Sequence, residues 1–180
     1  MNPLLEKIKT DVTAKVIPEN KDEFERVTAA AKKIMFDKKT HANMELVRNP
    51  ASRKNPVETV SKGVAGLMWL MYQQSKQTMK PQVMVFVGII VMCEAFDFAE
   101  RGLGLQLTND IVARTAEQLA VELFKKLGID EQTLQNQIIK GKQEIDDYKS
   151  GKITPDQIKA KMQEQSDSGL PPPKATGAVQ

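Results

Sequence analysis

Residues 81–101 read PQVMVFVGIIVMCEAFDFAER, and the fold depends on how the apolar run from Val83 to Cys93 is read. Its valines would suit a buried strand. Pro81, however, restarts the chain, and the pattern carries on through Phe96 and Ala99 to Arg101. That length favours a central buried helix. The run meets Glu94 and Asp97 well short of the roughly 20 apolar residues that crossing a bilayer requires.

Immediately upstream, Asn55-Pro56-Val57-Glu58 supplies a cap residue, a proline at the first helical position and a glutamate at the third. The helix it opens carries Val60, Val64, Leu67, Met68, Met71 and Tyr72 on one stripe, which Trp69 and Leu70 widen. Together the two segments predict a central apolar helical hairpin over 57–101. Gly63, Ala65, Gly66 and Gly88 permit close helix approach there, and the methionines adapt to irregular gaps.

Toward the N-terminus, Leu4, Leu5, Ile8, Val12 and Val16 recur at helical spacing and predict a helix ending before Pro18. Asn20, with Glu23 three positions on, has the form of a capping box. It opens a helix bearing Phe24, Val27, Ala31, Ile34 and Met35 that is expected to run to about Val47, before a loop at 48–55. Downstream, Gly102 and Gly104 break the chain, and Thr108 or Asn109 caps a helix whose Ile111, Val112, Leu119, Leu123 and Phe124 face a core. Gly128 stops it. Asp130 caps a further helix with widely spaced Leu134, Ile138, Ile145 and Tyr148, and Thr154-Pro155-Asp156-Gln157 caps a short last one. From Ser166 onward, Gly169 and three consecutive prolines give a disordered or extended tail. The expected fold is all-α: a helical bundle body over 1–128, a helical appendage over 129–165 and a flexible Pro-rich tail over 166–180.

Composition agrees with this reading. Of 180 residues 41% are apolar, enough for a core without disulfides or metal, while only 5% are aromatic and 9 are Met. Ala, Lys, Gln, Glu, Leu and Met are good helix formers. The start of the chain has the pattern of a charged amphipathic helix and not that of a signal peptide, so synthesis and folding are expected in the cytoplasm. A net charge of +3 is too small to argue for nucleic acid by itself.

The residues that carry chemistry are few. There is one histidine, His41, and one cysteine, Cys93. Cys93 lies in the apolar run and reads as a buried thiol, and His41 reads as a solvated side chain. No Cys–His or Ser–His pairing and no usual zinc ligand set can be made from them. Gly102-Leu103-Gly104 lacks the third glycine and the Gly-Lys-Ser/Thr that cradle phosphates. The expectation is therefore no catalytic residue, no cofactor and no metal, and a protein that is not an enzyme.

Three patches remain as places for a partner. Lys38, Lys39, Arg48, Arg53 and Lys54, within a basic stretch over 32–62, could meet phosphates or an acidic surface, although no aromatics interleave to stack bases. Leu67, Trp69, Leu70, Val85, Phe86 and Ile89 form the core or a subunit seam. Glu94, Asp97 and Glu100 share one face at the C-terminal end of the apolar helix, where carboxylates oppose the helix dipole. Something should offset them: Arg101, Arg114, the basic loop or a basic partner surface, with a paired-carboxylate hydrolytic site or a hard-metal site as the further alternative.

Asp147-Tyr148-Lys149-Ser150-Gly151-Lys152-Ile153-Thr154, continuing through Pro155 to Lys161, resembles the short C-terminal SHOCT-type module, in which a Gly-x-Ile-Thr turn joins two helices. The Gly-x-Ile-Thr core matches; Pro155-Asp156-Gln157 departs from the usual acidic run, and Ile158 replaces the usual aromatic. The resemblance implies oligomerisation. In overall character, with its charged amphipathic start, Met-rich apolar hairpin, polar helical extension and Pro-Pro-Pro-Lys tail, the chain resembles small helical virion proteins of tailed bacteriophages. Those include ejected internal proteins and head-to-tail assembly subunits.

The expected function is thus a non-enzymatic structural or assembly protein that forms homo-oligomers and joins other proteins in a particle such as a phage virion. Two alternatives stand beside it. One is a nucleic-acid-binding accessory protein using 32–62, with DNA as partner. The other is a membrane-active protein using the apolar hairpin.

Overall fold

The computed structural model describes residues 2–37, 49, 54–129, 150–152 and 154. Among them lie five α-helices and no strand. The helices are α1 (Pro3–Ala14), α2 (Lys21–Phe36), α3 (Pro56–Gln74), α4 (Pro81–Leu103) and α5 (Asn109–Lys126), with a 3-10 turn at Pro18–Asn20. The protein is all-α in these residues, and Val83–Cys93 is helix. The expected helices beyond Gly128 and the tail over 166–180 lie outside the described residues, as do His41, Lys38, Lys39, Arg48 and Arg53.

Local chemistry sets most helix starts. The Asn2 side chain accepts from the Leu4 amide at 3.0 Å ahead of Pro3. Asn55 accepts from the Glu58 amide at 3.3 Å, while its Nδ2 donates to Glu58 Oε2 at 2.7 Å. Thr108 Oγ1 accepts from the Ile111 amide at 3.2 Å. Each cap satisfies an N–H that the first helical turn leaves without a partner. α4 ends at Gly104, whose φ of 66° falls where only glycine sits without strain.

Two expectations are corrected. α2 does not continue to Val47: it stops at Phe36, and Asp37 is extended at φ −71°, ψ 134°. The capping box at Asn20 does not form either, because Asn20 makes no side-chain cap. Its Nδ2 donates to Gln82 Oε1 at 2.9 Å and its Oδ1 accepts from Lys80 Nζ at 2.6 Å. Glu23, the other half of the predicted box, accepts instead from the Lys80 amide at 3.2 Å. Residues suited to a local cap thus fasten the α1–α2 turn to the start of α4. Asn20, only 4% exposed, is polar and buried because both ends of its amide are hydrogen-bonded.

α4 packs against α1, α2 and α3. Asn2 reaches Glu100 and Lys9 reaches Glu94, so α1 runs opposite to α4. Glu23 lies by Lys80 and Lys32 by Glu94, so α2 runs alongside α4 in the same sense. Met84, Val87, Val91, Met92 and Phe96 of α4 are fully buried, as are Leu5, Met68, Leu119 and Leu123 from the other helices. At Gly88 a methyl group would sit 3.5 Å from both Leu119 Cδ2 and Leu123 Cδ1 and 3.7 Å from Met68 Cγ, ordinary packing distances, so side chains of α3 and α5 pack directly over this position.

The turn from α3 to α4 is strained: Lys76 and Gln77 adopt φ of 55° and 63°, a region costly for side chains other than glycine. The Gln77 amide offsets part of that cost by donating to the Tyr72 carbonyl at 2.9 Å.

The chain divides into two compact units after Leu123. In the second, the last turn of α5 closes at Gly128, φ 77°, with the Ile129 amide donating to the Phe124 carbonyl at 3.0 Å.

Candidate partner-binding surface

The outer face of α3 arises from residues at helical spacing. Thr59, Gly63, Gly66 and Leu70 follow one another at steps of four, three and four, which stacks them along one side. Val60, Val64, Met68 and Met71 line the opposite, buried side. Thr59, Gly63, Gly66 and Leu70, with Glu58, Lys62 and Leu67, form an open groove of about 480 Å³. Among the described residues nothing lies within 4 Å of where a Cβ would stand on Gly63 or Gly66, whereas Leu70 projects with 43% of its surface exposed. A large aliphatic side chain therefore stands beside a gap on the same helix face. Glu58 and Lys62 form an ion pair of 2.6 Å at the other end.

The six seam candidates are distributed unevenly. Leu67 is buried and Leu70 exposed. Trp69 is half-buried, its ring 5.5 Å from that of Tyr72. Val85, Phe86 and Ile89 are half-buried on the N-terminal half of α4, next to exposed Gln82. α4 is long and apolar enough to cross a membrane, but 67% of its apolar stretch is buried within the protein.

The three acidic candidates are all answered within the chain. Glu94 Oε1 receives Lys9 Nζ at 2.9 Å and Lys32 Nζ at 2.8 Å, and its side chain is only 13% exposed. Asp97, 1% exposed, is paired with Arg101 through Oδ2, while its Oδ1 is buried with no hydrogen-bond partner among the described residues. Glu100 Oε1 accepts from Asn2 Nδ2 at 2.9 Å. Of the cations expected to offset them, Arg101 does so for Asp97, but Arg114 pairs with Asp110 at 3.6 Å. Lys32, counted in the basic stretch, is turned to Glu94. Lys54 is exposed.

Burial pushes the Glu94 carboxyl upward, but hydrogen bonds and charge from Lys32 and Lys9 outweigh it and hold the group below its ordinary value. A carboxyl depressed in the folded state stabilises the fold above its unfolded pKa and loses that contribution as pH falls through the folded one. Stability is therefore expected to be flat with respect to Glu94 at neutral pH and to fall below the ordinary carboxylate range, roughly pH 4. Glu94→Gln should flatten that acid limb, measured by urea denaturation at a series of pH values. An undiminished acid limb in the variant would place the titration elsewhere.

Cys93 is completely buried, and burial pushes its thiol up to about 12, which favours the neutral thiol at neutral pH. Among the described residues no group of three His, Cys, Asp or Glu side chains is placed to hold a metal ion. The cation arrangement at Glu94 was not readable from the sequence, since Lys9 lies 85 residues away. The groove on α3 had one signal, the pair of glycines followed by Leu70. Comparison of the chain with protein-family models, with curated proteins and with solved structures finds no match.

Proposed function

We propose that this chain is a non-enzymatic structural subunit that associates with copies of itself as part of a larger particle, such as a phage virion. In this reading the body is a helical bundle gathered on α4, with α3 and α4 as its central hairpin. The segment over 129–165 docks on another protein of the assembly, and the basic stretch around Lys54 faces DNA or an acidic neighbour.

The observation that carries it is the outer face of α3. Leu70 lies four and seven residues beyond Gly66 and Gly63, about 6 and 10 Å along the helix. A projection and a gap on one face are self-complementary: across a two-fold axis, each copy's Leu70 enters the space over the other's glycines. Glu58 and Lys62 neutralise each other, so the face brings no net charge to repel its own copy. The burial of most of α4 favours a core role for that helix over insertion into lipid.

Leu70→Glu is expected to weaken self-association at least about tenfold, as removal of a buried anchor does. Light scattering or sedimentation over a wide concentration range reads this directly. Gly66→Leu provides a second arm. Among the described residues nothing lies within 4 Å of its Cβ, and it raises helix propensity, so it should leave the fold intact while filling the gap. A monomer at every concentration would overturn the proposal.

A further inference from the structure

We propose that α1 is a releasable strap, hinged at residues 15–17, that opens from α4 as a unit and uncovers the buried flank at Cys93 while α2 stays in place. Three features of the structure combine in this.

The first is where the fastening stops. Asn20 is buried and tied to both Lys80 and Gln82, so the chain from the 3-10 turn onward is held to α4 independently of α1. Lys15 and Ile17, between that anchor and the end of α1, are exposed, and Val16 is half-buried. Few backbone dihedrals need change there for α1 to swing away.

The second is how little apolar surface holds α1. Of its twelve residues only Leu5 and Val12 are buried, with Leu4 and Ile8 half-buried beside them. The polar ties are Asn2 to Glu100 at 2.9 Å and Lys9 to Glu94 at 2.9 Å. Elements with few buried apolar contacts open below the threshold of global unfolding.

The third is the double occupancy of Glu94. Removing the partner of a largely buried carboxylate is ordinarily costly because the charge is left uncompensated. Here Lys32 of α2 sits on the same oxygen at 2.8 Å. When Lys9 departs, Glu94 remains paired. Lys9 enters water near Glu6, which lies 4.0 Å from it on the same helix. The open state is thus built to contain no stranded charge. Cys93 adjoins Glu94 and precedes Glu100 by about two helical turns, so it lies on the flank of α4 that α1 ties through Lys9 and Asn2, and its accessibility reports whether α1 is down.

The two lysines on one carboxylate then have opposite effects. Lys9→Gln removes a tie present only in the closed state and should speed labelling of Cys93 by a neutral maleimide about tenfold, a change of about 1.4 kcal/mol. Lys32→Gln strips Glu94 of its partner in the open state and should slow labelling severalfold. A merely structural role for both lysines would speed labelling in both variants, and that outcome overturns the proposal. So does wild-type labelling no faster than global unfolding. Should either variant fail to fold, hydrogen exchange on the unaltered chain decides. Amides of α1 exchanging ahead of those in α2 and α4 support the strap, and all three exchanging together refutes it.

Discussion

Phe96→Ala is expected to lose about 3–5 kcal/mol of folding stability, the usual cost of truncating a large side chain in a core that only partly collapses. Phe96 is the largest of the fully buried side chains, with 0% exposure, and it lies on the one helix that packs against α1, α2 and α3. Domains of this kind are stable by about 5–15 kcal/mol in total, so the loss spans from a fraction of that stability to nearly all of it. Phe98, two positions along and half-buried, serves as the control. Its removal should cost only about 1 kcal/mol. Urea denaturation with an unchanged slope separates the two, and equal losses would show that α4 is not buried on the face assigned to Phe96.

The second large effect concerns Asp97. Arg101→Ala should cost about 2–3 kcal/mol, because it strands a carboxylate that is 1% exposed with no cation to answer it. The figure is set below the upper range for such losses because the Arg101 side chain is itself 71% exposed and its charge is screened. Replacing both partners, Asp97→Leu with Arg101→Ala, removes the stranded charge and also the buried Oδ1 that has no partner among the described residues. The double variant should therefore stand within about 1 kcal/mol of the wild type, more stable than Arg101→Ala alone. A double-mutant cycle measures the coupling. If the two substitutions simply added, the carboxylate would not owe its cost to burial.

Helix starts were readable because their chemistry is local. Asn55 and Thr108 cap α3 and α5 through atoms three residues away, and a sequence displays such pairs directly. The apolar run at 83–93 was harder, since an unbroken run of apolar residues carries no period; length decided it. The failures are of another kind. Asn20 and Glu23 had the spacing of a capping box, yet tertiary partners at Lys80 and Gln82 claimed both side chains. Nothing near Lys76-Gln77 announces two residues with positive φ. At the candidate surface, the glycines and Leu70 were visible as letters, but not that Leu67 would turn inward and Leu70 outward. The lysines on Glu94 come from two other helices, and no pattern within a helix encodes them.

The fastening of Asn20 also bears on the order in which the molecule forms. α3 and α4 are joined by a short turn and can meet early, at small cost in chain entropy. The turn at Pro18–Asn20 is held by residues 60 and 62 positions further on, so it has nothing to close upon until the start of α4 is in place. Contacts of that separation require a large loop to be drawn in first. The geometry between α1 and α2 is therefore expected to form late in folding, once the start of α4 is in place.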